Sequence, residues 1–388
     1  MSNFQFEKIR QLYPVFSHTA YLDTPTTGAL SQKSFRCLLS ALQKRYLDGE
    51  NIDEYFELWN MADATRGLVA QMIGARKDEI VYGLSSSSLF NIFLNGGLLS
   101  AGDNVVLYDN AYPALTYGWM NKKTEGIEIR AARTVNGSVA ENAFSQLVDE
   151  NTKALCVCHV DMGSGYRHDL EMLGNFCRKQ NILFAVDATQ SAGAMQIDVQ
   201  RMKIDFLTAS SYKWLQNILG VGFAYINARI LPRLAQCEMG WANTSGRIHD
   251  DPFQYVISPT ASRFENGGLC FLGIKSLAVS VEQYLELGGR EIENYILELV
   301  DHLYQEIEKL PELSVYGQFP PEHRSGIVCI DLPEDWGLTN QVLADHGIRG
   351  NMLTPGRLRI GIHYYNQKKD IDCLLDFLKT CCSQRGRH

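Results

Sequence analysis

Two charged residues at the ends of short apolar runs offer chemistry. Lys213 closes the stretch Phe206-Leu-Thr-Ala-Ser-Ser-Tyr-Lys213, and Asp187, 26 residues earlier, closes Leu183-Phe-Ala-Val-Asp187. Runs of this kind form buried strands of a parallel sheet. The pattern predicts an ammonium and a carboxylate at neighbouring strand ends, in one cleft. A buried amine attacks carbonyls, and a carboxylate holds a ring nitrogen protonated. A cofactor with an aldehyde and a ring nitrogen needs both partners. Taken singly, each residue has a plainer reading: Lys213 as a surface lysine, Asp187 as the N-cap of the next helix.

Further residues surround this pair. Four serines, Ser85 to Ser88, follow the apolar run Ile80–Gly83 and open a helix. Hydroxyls and unpaired N–H groups at a helix start suit an anion such as a phosphate, although serine caps helices in any case. Tyr112 follows Asp109-Asn-Ala111 after another strand. Its ring reads either as a stacking surface for a planar cofactor or as a half-buried tyrosine. Together these residues fit pyridoxal phosphate, which takes a lysine as a Schiff base and an acid against its ring nitrogen.

Strands and helices alternate through the region that must position these groups. Strands are predicted at Glu79–Gly83, Asn104–Tyr108, Ile127–Ala131, Ala154–His159, Ile182–Val186, Asp205–Ser210 and Val221–Ile226. Helices are predicted at Ser87–Leu98, Tyr112–Lys122, Glu141–Leu147 and Glu171–Gln180, after earlier ones at residues 4–13, 31–48 and 53–73. This is the pattern of a mostly parallel sheet flanked by helices, whose ligands bind beyond the carboxyl ends of the strands. Residues 237–262 are turn-rich. A long helical stretch follows from about Leu272 to Leu310. A smaller α+β part then reads strand, helix, strand, helix at Gly326–Asp331, Thr339–His346, Arg357–Ile362 and Lys369–Cys381.

The chain has 388 residues, more than one core usually holds. Two domains are therefore expected: a large cofactor-binding one over 18–255, and a small one from 1–17 and 256–388. Hydrophobic residues make up 45% and charged residues 21%, an ordinary globular balance. The net charge of −8, with no basic run, argues against nucleic acid as a partner. No apolar stretch reads as a signal peptide or a membrane span, so a cytoplasmic location is expected. The ten cysteines, several in apolar patterns and one vicinal pair at Cys381-Cys382, read as thiols rather than a disulfide framework. No spacing resembles a metal site.

In order along the chain, several motifs resemble the class V aminotransferase family of fold type I pyridoxal-phosphate enzymes. They are Tyr21-Leu-Asp-Thr-Pro-Thr-Thr-Gly28, Gly83 to Asn91, Gly102-Asp103 to Trp119, Val186-Asp-Ala-Thr-Gln-Ser-Ala-Gly193, Ser210-Ser-Tyr-Lys213, Arg263-Phe-Glu-Asn-Gly267 and Leu358-Arg-Ile-Gly-Ile-His-Tyr-Tyr-Asn366. The family includes cysteine desulfurases, selenocysteine lyases, kynureninases and isopenicillin N epimerase. The resemblance implies a seven-stranded, mostly parallel sheet and a homodimer with sites at the subunit interface. It implies Lys213 as the Schiff-base lysine and proton shuttle, and Asp187 against the pyridine nitrogen. Gln190 would bond the phenolic oxygen, and Tyr112 would stack on the ring where many relatives carry histidine. Ser86, Ser87, Ser210 and Tyr212 would hold the phosphate. Gly268 would reach the phosphate of the partner subunit. Arg359, a lone charge between Leu358 and Ile360, would clamp the α-carboxylate of an amino-acid substrate, with Gly28 nearby.

The chain also departs from its relatives. Desulfurases carry a catalytic cysteine on a loop before the carboxylate-binding arginine. The corresponding segment Gly347–Arg357 has none, and Cys329 lies in an expected strand. Met162 stands where an asparagine is usual beside the phenolic oxygen, leaving that task to Gln190 and Ser164. The resemblance implies an external aldimine and Cα deprotonation. Transamination is the expected outcome, with C–S lysis or epimerisation as alternatives.

Overall fold

The structure, a computed structural model, describes residues 4–140, 142–246, 251 and 253–385. Seven strands form the main sheet: β1 (Ile80–Gly83), β2 (Asn104–Tyr108), β3 (Glu128–Ala132), β4 (Thr152–Cys158), β5 (Leu183–Asp187), β6 (Phe206–Ser210) and β7 (Gly222–Ile226). Their order is β1-β7-β6-β5-β4-β2-β3, with β7 antiparallel to both neighbours and the other pairs parallel. Every residue of β2, β5, β6 and β7 is buried. Apolar side chains on both strand faces oblige helices to cover both faces of the sheet. The α/β class expected from the alternation is the class observed.

Helices α1 (Phe4–Arg10), α2 (Gln32–Leu47), α3 (Ile52–Ile73), α4 (Ser86–Asn95), α5 (Pro113–Lys122) and α6 (Leu170–Gln180) come from the first half of the chain. Helices α7 (Phe271–Leu287), α8 (Gly289–Ile307), α9 (Asn340–Asp345) and α10 (Lys368–Arg385) come from the second. A second, antiparallel sheet has the order β8-β9-β11-β10, made of β8 (Ser314–Val315), β9 (Ile327–Asp331), β10 (Asn351–Thr354) and β11 (Arg357–Gly361). The N-terminal segment is sewn to this sheet. Ala20–Tyr21 pairs in parallel with Ile348–Arg349, and Gly361 N–H donates to Leu22 O at 2.7 Å. Arg10 grips Asp370 through two bonds of 2.5 and 2.7 Å, fixing α1 to the start of α10.

Three local expectations differ from what is observed. The long helix over 272–310 is two helices, because Gly288 adopts φ 86° and ends the first. The helix expected at 141–147 is a short 3-10 turn, Ser145–Leu147, with residue 141 outside the described set. So few residues seldom sustain an isolated helix. Strand β10 falls where no strand is expected, since Asn351-Met-Leu-Thr354 is too short to show an alternation, and its pairing shifts register between Met352 and Thr354. Residues 247–250 and 252 of the turn-rich stretch lie outside the described residues.

Candidate active site

Register alone assembles the centre. Asp187 ends β5 opposite Cys158 of β4 and Thr208 of β6, and Lys213 lies three residues beyond the end of β6. Lys213 is only 6% exposed. Among the described residues its ammonium makes no hydrogen bond or ion pair. It lies 5.6 Å from the ring centre of Tyr112 and 5.7 Å from that of Tyr212. Burial and the charge of Arg359 bring its pKa down to about 8, against the opposing pull of Asp187, Cys158 and Asp23. Asp187 is buried too. Its Oδ1 accepts from Thr189 N–H at 2.8 Å, while Oδ2 has no hydrogen-bond partner among the described residues.

At the other end of the cleft, Gly222 of β7 pairs with Gly83 on one side and Ser210 on the other. This draws the α4 N-terminus to the end of β6. A Cβ on Gly222 would stand 2.9 Å from Ala209 O and 3.1 Å from the Ser85 carbonyl carbon, so the close approach requires glycine. Ser86 N–H donates to Ser210 Oγ at 2.9 Å, and the Ser86 hydroxyl meets Thr208 Oγ1 at 2.7 Å. The hydroxyl of Ser86 is thus turned into the sheet. Ser87 is exposed, and Ser85 caps the helix by accepting from Ser88 N–H at 3.2 Å.

Arg359, in the inner strand β11, is 2% exposed yet poorly saturated. Its Nη2 donates to Thr26 Oγ1 at 2.8 Å and reaches Asp23 Oδ1 at 3.4 Å. Its Nη1 meets Met162 O at 3.5 Å, and its Nε has no partner. A buried guanidinium with an idle donor suits an incoming carboxylate. Asp23 has its pKa raised by burial, with Thr26 and Arg359 opposing.

The remaining expected residues fall as follows. Gln190 accepts from Trp214 Nε1 at 2.8 Å and donates to Pro25 O at 3.1 Å, which fixes its amide and leaves one N–H. The Ser164 hydroxyl is spent on Gly137 O and Asp161, both at 2.9 Å. Tyr112 precedes α5 and is 38% exposed. Gly28 N–H donates to Tyr212 O at 2.9 Å, and a Cβ there would stand 2.0 Å from Lys213 O, so the loop lies flush on the lysine's backbone. Gly268 has open space beside it, with only Tyr55 Oη within 4 Å of a Cβ. Among the described residues no cluster of His, Cys, Asp or Glu could hold a metal, and no helix is long and apolar enough to cross a membrane.

Residues 20–374 match the family model Aminotransferase class-V. The chain belongs to this family. Its enzymes are pyridoxal-phosphate-dependent, and the chain has their fold type I architecture. It is 24% identical to a probable cysteine desulfurase of Methanothermobacter thermautotrophicus, over 96% of this chain and 97% of the relative. It is 28% identical to an uncharacterized aminotransferase of Schizosaccharomyces pombe, over 83% and 82%. Among solved structures, a cysteine desulfurase from Thermococcus onnurineus NA1 superposes with TM-score 0.86 at 22% identity, covering 97% and 98% of the two chains. A cystine C–S lyase solved with cysteine persulfide superposes with TM-score 0.87 at 19% identity, covering 94% and 98%.

The class V cofactor fits the residues present. Lys213 Nζ, Asp187 Oδ2, the spare N–H of Gln190 and the idle Nε of Arg359 are incompletely bonded polar groups, and the charges of Asp187 and Arg359 both act on Lys213. Four residues of the site escaped sequence reasoning: Asp23, Thr26, Thr189 and Gln216. Thr189 joins the two strand ends, its N–H on Asp187 and its Oγ1 accepting from Ser210 N–H at 3.1 Å. Gln216 N–H bonds Lys213 O at 3.0 Å, and its side chain enters a buried network with Tyr13, Tyr364 and Gln283. Asp23 and Thr26 stood within the motif 21–28, a signal that was available.

Proposed function

We propose that this class V protein is a pyridoxal-phosphate-dependent enzyme that removes the Cα proton of a small α-amino acid and completes the reaction as an aminotransferase. One observation carries the reading: a buried lysine without an ion pair, its pKa near 8, in one cleft with a carboxylate and an unsaturated buried arginine. Pyridoxal phosphate, when bound, supplies an electron sink that eases loss of the Cα proton.

The chain's own residues do the rest. A pKa near 8 leaves roughly a tenth of the Lys213 amine neutral at pH 7, free to attack a carbonyl and then to carry a proton. Asp187 Oδ2 holds a ring N–H. The spare Gln190 N–H donates to a phenolic oxygen. Ser210 and Ser87, the latter by its hydroxyl and its N–H at the start of α4, take the phosphate, with Tyr212 beside them. Ser86 gives its N–H to Ser210 Oγ and its hydroxyl to Thr208, so it positions Ser210 rather than meeting the phosphate. Tyr112 covers the outer ring face and excludes water. Arg359 binds the substrate α-carboxylate, with Gly28 keeping the adjoining loop close.

The same reading takes 18–255 as the cofactor domain, with 1–17 and 256–388 as the small domain. It takes the working unit as a homodimer in which Gly268 of each copy faces the phosphate of the other. Leu84 and Leu219 by the cleft, and Phe35, Leu42, Tyr46 and Leu47 on α2, are exposed apolar residues that a second copy would cover.

A C–S lyase or epimerase outcome is the second reading. The likeness to a cystine C–S lyase favours the lyase. Desulfuration needs a mobile thiolate. Cys329 is buried in β9, donates to Gly163 O at 3.2 Å, and has its pKa pushed by burial to about 12. The segment before Arg359 is strand β10 and a turn without cysteine.

Purified protein given pyridoxal phosphate should develop a visible absorption band that Lys213→Ala lacks. A colourless wild type, or a variant with the same band, would overturn the cofactor reading. A panel of amino acids then separates the outcomes. Transfer of the amino group to an added 2-oxo acid means transamination. Ammonia with a 2-oxo acid product means lysis. Solvent deuterium at Cα with no net product means epimerisation.

A further inference from the structure

Asp23 brings to the cleft a second carboxylate, one that removal of the Cα proton does not require. Its Oδ1 lies 3.4 Å from Arg359 Nη2, beside the idle Nε. Its charge also reaches Lys213, which it acts on in the direction opposite to Arg359. The backbone holds it there. Thr26 and Thr27 N–H both donate to Asp23 O at 3.1 Å, and Asp23 bridges Gly361 at the end of β11. Gly361 itself is pinned, because a Cβ there would stand 2.0 Å from Pro25 Cδ. Asp23 therefore has no room to withdraw its backbone when a ligand meets Arg359.

The charges of the cleft decide what kind of acid fits. Among the described residues, the charged groups that act on Lys213 are Arg359, Asp187 and Asp23, so with Lys213 itself two cations stand against two carboxylates. Of the neighbouring cations, Arg357 in the same strand as Arg359 is tied to Asp331 at 2.6 Å, and Arg349 is exposed and pairs in register with Tyr21. A single carboxylate finds the Arg359 guanidinium. A second one on the same ligand finds Asp23 in a half-buried setting, where like charges repel strongly.

We propose that Asp23 is a specificity residue that restricts this site to ligands with one carboxylate: amino acids whose side chain is neutral or cationic, and 2-oxo acids of the same kind. The inference rests on reading Arg359 as the carboxylate anchor. It carries a consequence for transamination. The amino acceptor is then a monocarboxylic 2-oxo acid, and dicarboxylic 2-oxo acids are poor acceptors.

The test uses unreactive acids, so that binding is read without turnover. Cofactor-loaded protein is titrated calorimetrically with propionate and with succinate, at a pH where both are fully ionised. Wild type should bind propionate on the order of tenfold more tightly than succinate. Asp23→Asn should strengthen both, and succinate by about tenfold more, which removes the preference. Asp23→Ser serves the same purpose should the asparagine variant fold poorly, as judged by its melt and its visible band. Equal affinity for the two acids in wild type, or an unmoved ratio in a folded variant, overturns the proposal. Arg359→Leu separates this from the underlying reading. Loss of both acids there with an unmoved ratio in Asp23→Asn sinks only the role of Asp23. Retained binding of propionate in Arg359→Leu sinks the anchor and the proposal with it.

Discussion

Two buried arginines, Arg66 and Arg359, meet opposite fates in this molecule. Arg66 of α3 donates to Glu265 at 2.8 and 3.2 Å, to Ile80 O at 2.9 Å, and lies 3.6 Å from Asp63. Glu265 in turn accepts from Tyr82 N–H at 2.9 Å. Every charge there has a partner. Arg359 is as deeply buried but has one short bond, two long ones and an idle Nε. Burial of a charge is costly in either place. Where the partners are complete, the charge holds elements together. Where they are incomplete, the fold has left donors for something that arrives later.

The comparison breaks if both arginines respond alike to truncation. Arg66→Met should cost about 3–5 kcal/mol of folding free energy, because it strands Glu265 as an unpaired buried carboxylate. Arg359→Leu should change stability by less than about 1 kcal/mol, since Asp23 keeps Thr26 and partial access to water. Urea denaturation of the two variants decides it. A loss at Arg359 as large as that at Arg66 would make Arg359 a structural residue.

Lys213 sharpens the same contrast, because its burial without an ion pair should destabilise the cofactor-free protein. Its folded pKa, about 8, lies below the ordinary 10.5. Between those values the unfolded chain binds more protons than the folded one, so wild-type stability rises with pH across that window. Below about pH 8 the penalty is fully present, on the order of 3 kcal/mol. Lys213→Met should remove it. Melting of cofactor-free wild type and variant should therefore diverge most below pH 8 and converge as pH approaches 10.5. A pH-independent gap would mean that packing, not charge, separates them.

How much of this was legible in the sequence depends on whether a signal is local. Asp187 and Lys213 announced themselves because each ends an apolar run, and a parallel sheet brings such ends together. The sheet and most helices followed from the same periodicities. The motif 21–28 marked Asp23 and Thr26 as part of the pattern, but not as the partners of Arg359. Asp23 and Thr26 are 336 and 333 residues away, and the pairing of Ala20–Tyr21 with Ile348–Arg349 and the bridge from Asp23 to Gly361 bring them near. The direction of a hydroxyl was equally hidden. Ser86 and Ser87 look alike in sequence, yet the first is turned to Thr208 and the second is exposed. Ser164 looked available until Asp161 and Gly137 O took its hydroxyl.

Gln216 gives the finest test of a saturated region beside an unsaturated one. It adopts φ 52°, a conformation that costs a side-chain-bearing residue roughly 1 kcal/mol. Its amide repays that strain. Tyr13 Oη donates to its Oε1, and its Nε2 donates to Tyr364 Oη at 2.6 Å. Gln283 of α7 donates to both tyrosines, at 2.8 and 2.9 Å, so the turn after Lys213 is tied to the N-terminal segment and to α7. Truncation to alanine removes the amide and keeps the strain. Truncation to glycine removes both. Gln216→Gly should therefore be more stable than Gln216→Ala by about 1 kcal/mol, the reverse of the usual order, with both below wild type. Thermal melts of the three proteins measure this. Were alanine the more stable, the turn would have relaxed out of the left-handed region, and the hub rather than the backbone would hold Lys213 in place.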